Sequence, residues 1–329
     1  MSHMLIVGGG LAAGAAADTL RKEGFDGDVT VVAAEPHPPY QRPPLSKGYL
    51  AGTDGRDAVI LHPEEWYAER GIRLLTGVAA TGLDPAAKTV ELEDNSRLQY
   101  DAVLLATGAA PRRLSIRGHD LPGVVTLRRI EDSEALADEL RGGGRRLVVI
   151  GTGWIGMEVA ATARSFGNDV TVLGRGPVPL ASALGDEMGE VFRALHRDHG
   201  VDVRTSVAVE RIEGAERAEA VVANGERIDA DLVLVGIGAA PDITLAEESG
   251  LRILDGILTD SALRTSAPDV FAAGDVANAY HPVLQRHVRT EHWANARASG
   301  RVAARAMLGH PASHDGIPSF YADQFDRGM

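Results

Sequence analysis

Two glycine-rich turns carry the clearest chemistry in this chain of 329 residues. Gly8-x-Gly10-x-x-Ala13-Gly14 follows the apolar run Met4-Leu-Ile-Val7, and Gly151-x-Gly153-Trp154-Ile155-Gly156 follows Leu147-Val-Val-Ile150. Small residues at this spacing let the backbone approach a pyrophosphate, and a helix opening at the turn offers free N–H groups and the positive end of its dipole. Glu35 stands beyond a second apolar run, Val29-Thr-Val-Val32, at the distance where an acid meets a ribose hydroxyl. The second turn lacks that acid, because the slot after Val170-Thr-Val-Leu173 holds Gly174 and then Arg175. A carboxylate pairs with a 2′-hydroxyl and repels a 2′-phosphate, whereas a guanidinium pairs with the phosphate, so NADPH is expected to be favoured over NADH. Two dinucleotide sites in one chain point to one cofactor held and one exchanging. Hydride transfer from a nicotinamide to a flavin fits that arrangement.

Composition narrows the chemistry further. The chain has no cysteine, which removes disulfides, thiolate metal sites, cysteine-ligated clusters and thiol nucleophiles together. Its 33 basic and 46 acidic residues give a formal charge of −13, which argues against a general nucleic-acid or anionic-membrane binder. Apolar runs such as Leu232–Ala240 are about half the ~20 residues of a membrane span. Only Lys22, Lys47 and Lys88 are lysines, so each is worth inspection. Met1-Ser2-His3-Met4 resembles a cloning leader and is set aside. His196 and His199 bracket Asp198, but surface positions are the default and no metal site is expected.

The elements that position these residues come as an internal repeat. Besides the two turns and the two following strands, Gly71-Ile-Arg-Leu matches Gly200-Val-Asp-Val. Tyr100-Asp-Ala-Val-Leu-Leu-Ala-Thr-Gly108-Ala-Ala-Pro111 matches Ala230-Asp-Leu-Val-Leu-Val-Gly-Ile-Gly238-Ala-Ala-Pro241. Strand and helix alternate in each copy, which implies an α/β fold of parallel sheets covered on both faces.

Pro39-Tyr40-Gln41-Arg42-Pro43-Pro44-Leu45-Ser46-Lys47, Ala106-Thr107-Gly108, Phe271-Ala-Ala-Gly274-Asp275-Val276-Ala277 and Glu291-His292-Trp293-Ala294-Asn295-Ala296 carry a family resemblance. From about residue 4 to 325 the chain resembles the FAD-dependent NAD(P)H ferredoxin reductases, the putidaredoxin reductase-like enzymes that serve Rieske oxygenases and cytochromes P450. These share the glutathione-reductase-type fold. The resemblance implies two Rossmann-like domains: a discontinuous FAD domain at 4–112 and 243–318, and an NAD(P) domain at 113–242. A small antiparallel piece is expected around Val78–Leu98. Residues 319–329 would open a C-terminal interface domain that is truncated or absent.

Carried over by position, the resemblance places Gly8, Gly10, Ala13, Gly14, Ala106, Thr107, Gly108 and Gly274 around FAD. Glu35 would contact the adenosine ribose and Ala80 the adenine edge. Arg42 and Arg128 would bind the phosphate or adenosine region, Asp275 the ribityl chain, and Trp293 the pyrimidine end of the flavin. Gly151, Gly153, Trp154, Ile155, Gly156, Arg175 and Gly238 would line the NAD(P) site, with Trp154 in the place of an aromatic that covers the flavin. Lys47 would approach flavin N5 and pair with Glu158, which orients the nicotinamide; these two are the candidate catalytic residues. An ammonium beside N5 favours an electron-rich flavin. Two departures stand out: Gln41 replaces a residue commonly acidic, and Gly174 the usual acid.

Disulfide reductases of this fold pass electrons through a cysteine pair, which this chain cannot do. Direct delivery to an external acceptor remains, and the resemblance makes that acceptor a ferredoxin-type iron–sulfur protein. Residues 286–305 hold five arginines against one glutamate, and Arg297, Arg301 and Arg305 recur every four residues on one helix face, where they could steer an acidic partner. A rubredoxin or nitrite-linked reductase, and a nicotinamide-switched flavoprotein acting through protein contacts, are the alternatives. The expected setting is cytoplasmic, as a monomer or homodimer without nucleic-acid or membrane partners.

Overall fold

The computed structural model describes residues 2–328, so Met1 of the leader and Met329 of the terminal segment lie outside the described residues. The chain forms two compact units. One comprises Met1–Gln41, Asp57–Ala110 and Pro241–Phe320, the other Arg42–Arg56, Pro111–Ala240 and Tyr321–Met329.

In the first unit, five parallel strands lie in the order Val270–Ala272, Ala102–Leu105, His3–Val7, Asp28–Ala33, Ile72–Thr76. His3 pairs with Asp28 and Val7 with Val32 in register. His3, set aside with the leader, thus begins the central strand, and its amide donates to the Asp101 carboxylate at 2.7 Å. The inner strands His3–Val7 and Ala102–Leu105 read as near-continuous apolar runs because both faces are covered. Alternate residues serve the two faces: Ile6 and Leu104 pack with the helices Leu11–Lys22 and Trp293–Met307, while Leu5, Val7, Val103 and Leu105 pack with Val90 and Leu92. The two helices approach so closely that a Cβ on Gly300 would lie 2.3 Å from the Ala12 carbonyl oxygen. The antiparallel piece spans Ala80–Asp84, Thr89–Leu92 and Arg97–Gln99.

In the second unit, the parallel order is Val124–Val125, Leu232–Val235, Arg146–Ile150, Asp169–Leu173, Asp202–Arg204. Arg146 pairs with Asp169 and Ile150 with Leu173, the same register as in the first unit. A second antiparallel sheet, Val209–Glu213, Ala220–Ala223 and Glu226–Asp229, was not anticipated from sequence. Its hairpin turns at Asn224-Gly225, where both residues have positive φ (49° and 78°). That dipeptide is a strong hairpin signal, but it joins a continuous apolar run, Ala220–Ala223, to the charged Glu226-Arg227 rather than two alternating strands.

Residues 42–56 belong by their contacts to the second unit. Ser133 Oγ donates to the Leu45 carbonyl at 2.8 Å, Thr162 Oγ1 to the Ser46 carbonyl at 3.1 Å, and Tyr49 Oη to Glu134 Oε1 at 2.6 Å. The segment therefore rests on the helices Ile130–Leu140 and Trp154–Ser165. Among the described residues no helix is long and apolar enough to cross a membrane.

Candidate functional site

Both glycine turns have the geometry of a backbone that must pass close to something. Gly8 has φ +135°, and a Cβ there would lie 2.1 Å from the Ala106 carbonyl oxygen; Gly151 has φ +120°, and its Cβ would lie 2.2 Å from the Gly236 oxygen. Only glycine meets both demands. Gly10 and Gly153 then open the helices Leu11–Lys22 and Trp154–Ser165 in extended conformation, with no side chain capping the first turn. Each helix thus presents first-turn amides without a side-chain acceptor, the donor set an anionic ligand uses. Gly156 supports the second turn, since a Cβ there would lie 2.5 Å from the Gly151 oxygen. Ala13, its counterpart, is fully buried, and a Cβ on Gly14 would lie 2.6 Å from Leu61 Cδ1.

Around the first turn, Glu35 is half-buried and its Oε2 accepts from the Tyr40 hydroxyl at 2.6 Å. Ala80 begins the antiparallel sheet. The Ala106-Thr107-Gly108 segment leaves the strand end, with Thr107 Oγ1 donating to the Asp242 carbonyl at 2.7 Å and Gly108 at φ +75°. Gly274 N–H donates to Ser299 Oγ at 3.0 Å, and Asp275 sits in the short turn Gly274–Val276. Trp293 is the first residue of its helix, capped by His292, whose ring accepts from Ala294 N–H at 3.3 Å. Trp293 Nε1 donates to Gln41 Oε1 at 2.6 Å, while Gln41 Nε2 donates to the Ala58 carbonyl at 2.9 Å. The amide at 41 therefore has a structural use: it ties the tryptophan to the neighbouring backbone.

In the second unit the structure brings Lys47 and Glu158 together. Lys47 Nζ lies 2.7 Å from Glu158 Oε1, with the lysine side chain 19 % and the glutamate 6 % exposed. Sequence reasoning missed the third member: Ser46 Oγ donates to Glu158 Oε2 at 2.5 Å. Its signal was adjacency to Lys47, but a hydroxyl inside a Pro-Leu-Ser-Lys turn reads equally as a turn residue. Burial pushes the Glu158 carboxyl above the usual range, Lys47 and Ser46 pull it back, and Asp323 adds to the rise. Tyr321 also went unnoticed; its ring centroid lies 5.7 Å from Lys47 Nζ.

Arg42 Nε donates to the Arg128 carbonyl at 3.2 Å, which places the two arginines side by side. The Arg128 and Arg129 amides both donate to Asp132 Oδ2 at 2.9 Å, fixing the start of the helix Ile130–Leu140. Trp154 is half-buried and meets Phe192 edge-on at 6.4 Å, and Ile155 beside it is exposed. Gly238 has φ +98° and accepts from Arg112 N–H at 2.9 Å; Arg175 is exposed.

His196 corrects the expectation of a surface position, since it is fully buried. It shares with Phe192 the buried face of the helix Ala181–Asp198, and its Nε2 lies 2.8 Å from Gln324 Oε1. His199 stacks on Phe325 at 3.9 Å. Among the described residues no group of three or more His, Cys, Asp or Glu side chains is placed to hold a metal ion.

The sequence model of the pyridine nucleotide-disulphide oxidoreductase family matches residues 2–300. Rhodocoxin reductase of Rhodococcus erythropolis is 40 % identical over 325 residues, 98 % of this chain and 76 % of its own. The biphenyl dioxygenase system ferredoxin–NAD(+) reductase component of Paraburkholderia xenovorans (strain LB400) is 40 % identical over 320 residues, 97 % of this chain and 78 % of its own. Among solved structures, the covalent putidaredoxin reductase–putidaredoxin complex matches with a TM-score of 0.96 and 35 % identity, covering 99 % of this chain and 80 % of that one. Two glycine turns on matched parallel sheets, a family match over most of the chain and relatives at this identity lead to one conclusion: the chain belongs to the pyridine nucleotide-disulphide oxidoreductase family, among its ferredoxin reductases.

Proposed function

We propose that this chain is an FAD-dependent NAD(P)H:ferredoxin oxidoreductase, which takes a hydride from NAD(P)H and passes single electrons to a ferredoxin-type iron–sulfur protein feeding an oxygenase or cytochrome P450. The observation that carries this reading is the pair of uncapped glycine turns in a chain without cysteine. Family members built around a redox disulfide need thiols, and here the electrons must leave by another route.

The first unit is the proposed FAD domain and the second the proposed NAD(P) domain. Both fit their cofactors by the same test: a Cβ would collide with backbone at Gly8 and at Gly151, so the turns keep a surface bare of side chains where a pyrophosphate lies. Bound FAD supplies the chemistry that accepts two electrons as hydride and releases them one at a time. The protein supplies position and charge. Gly8, Gly10, Ala13 and Gly14 would seat the pyrophosphate, Glu35 the ribose, and Asp275 and Trp293 the flavin end. The helix Trp293–Met307 would turn its positive N-terminus toward accumulating negative charge. Gly151, Gly153 and Gly156 would seat the nicotinamide nucleotide. Lys47 holds a positive charge against Glu158, and Glu158 keeps a second oxygen for Ser46; the ammonium so held would serve the hydride-transfer step.

A cytoplasmic location, where NAD(P)H is available, completes the proposal. Its test is loading: purified protein is expected to bind one FAD, and anaerobic NAD(P)H to bleach that flavin. Absence of FAD binding, or a flavin indifferent to both nicotinamides, would overturn it.

A further inference from the structure

Backbone hydrogen bonds index the two glycine turns against each other. Gly8 N–H donates to the Val32 oxygen and Gly151 N–H to the Leu173 oxygen, both at 2.8 Å. Beyond the strand, Val78 N–H donates to Ala33 (3.1 Å) and Gly77 N–H to Glu35 (3.0 Å); in the second copy Val207 N–H donates to Gly174 (2.8 Å) and Ser206 N–H to Gly176 (2.9 Å). Ala33 therefore corresponds to Gly174, Glu35 to Gly176 and Gly9 to Thr152. Two positions could thus present an acid to a ribose: Gly174, which the resemblance names, and Gly176, the counterpart of Glu35.

The correspondence exposes an exchange of side chains. In the first copy the turn residue is bare and the strand end carries a methyl: a Cβ on Gly9 would lie 2.9 Å from Ala33 Cβ. In the second the turn residue is Thr152 and the strand end is bare: a Cβ on Gly174 would lie 2.5 Å from Thr152 Cγ2 and 2.9 Å from its Oγ1. While Thr152 stands, position 174 admits no side chain, and so no carboxylate. Position 176 has room, its nearest neighbour being the Val178 oxygen at 3.6 Å, yet holds glycine. Between them Arg175 is exposed and makes no ion pair or hydrogen bond among the described residues. The acids Asp202, on the adjoining strand, and Glu226, in the antiparallel sheet, are already paired with Arg204 at 2.7 and 2.8 Å.

We propose that Thr152, Gly174 and Arg175 together make the second unit select nucleotides that carry a 2′-phosphate. Thr152 closes the strand-end position to a carboxylate, Gly176 leaves the outer position without one, and Arg175 supplies the guanidinium for the phosphate. This rests on the assignment of the second unit to NAD(P)H.

The test is calorimetric titration of the FAD-loaded protein with ADP-ribose and with 2′-phospho-ADP-ribose, alongside kcat/KM for NADH and NADPH. The phosphorylated probe is expected to bind more tightly, and Arg175→Ala to lower the NADPH/NADH ratio of kcat/KM by roughly ten- to a hundredfold, the worth of charged hydrogen bonds. Gly176→Glu, whose Cβ would meet nothing closer than the Val178 oxygen at 3.6 Å, is expected to shift the ratio toward NADH. Equal or weaker binding of the phosphorylated probe, or a ratio unmoved by Arg175→Ala, overturns the inference and leaves the proposed function intact. Failure of both probes to bind contradicts the assignment of the second unit itself, and the inference falls with it.

Discussion

Ser46 and Glu158 share a 2.5 Å hydrogen bond, while the next residue, Lys47, holds the other carboxylate oxygen at 2.7 Å. Two consecutive residues thus clamp both oxygens of one buried acid. A buried carboxylate with unsatisfied oxygens would be costly, and here neither is left open.

Removal of either charge should therefore be felt in two ways. Lys47→Ala leaves the carboxylate without its cation, a loss of about 3–5 kcal/mol if the charge is retained, although protonation of Glu158 offsets part of it. Flavin reduction by NAD(P)H, followed by stopped flow, is expected to slow by on the order of tenfold or more in Lys47→Ala and Glu158→Gln. Ser46→Ala should cost about 1–3 kcal/mol with a smaller kinetic effect. Full hydride-transfer rates in Lys47→Ala would remove the lysine from the chemistry.

The same acid sets a pH dependence. Burial raises the folded pKa of Glu158 above the unfolded value of 4.5, so the unfolded chain ionises first as pH climbs. Its contribution to stability is complete below 4.5 and is lost as pH rises through the folded value. Glu158→Gln should therefore show a flatter melting temperature across that window. Function runs the other way, since the pair with Lys47 is complete only above the folded value. Flavin reduction should fall in acid from a pH above the ordinary carboxylate range, and a profile identical in Glu158→Gln would contradict the assignment.

His196 gives a second, purely structural pH effect. Burial lowers its pKa from 6.5 to about 4, so the unfolded chain takes up a proton through that window and the folded chain does not. Stability should drop as pH falls from 6.5 toward 4, by on the order of 3 kcal/mol. Chemical denaturation of His196→Asn at pH 7 and pH 4.5 should show a smaller difference than in the parent protein.

The arginine stripe is not uniform. Arg305 pairs with Glu23 at 2.8 Å, and the Arg297 guanidinium lies 5.3 Å from the Trp293 ring centroid. Arg301 is exposed and has no ion pair among the described residues. Arg301→Glu should raise KM for an acidic ferredoxin several-fold at low salt and little at high salt, because exposed charges are screened beyond about 8–10 Å. A KM unchanged at low salt would rule that face out.

Much of this was legible in the residues. Parallel strands buried on both faces write themselves as apolar runs, and Gly8 and Gly151 are glycines because both their φ angles and the facing carbonyl oxygens require it. Less visible were features that depend on distant partners. The burial of His196 depends on a segment 128 residues away, as its bond to Gln324 shows. The exchange between Thr152 and Gly174 is silent in sequence, because a missing Cβ at one position has meaning only beside the methyl that fills its place. Gln41 looked like a loss of charge, and its bond to Trp293 shows a gain of position.

The central claim is tested most directly by coupled reduction of cytochrome c in the FAD-loaded protein, with NAD(P)H and a panel of [2Fe–2S] ferredoxins. Rapid reduction only when a ferredoxin is added is the expected result. Reduction at the same rate without ferredoxin, or none with any ferredoxin although NAD(P)H bleaches the flavin, would contradict it.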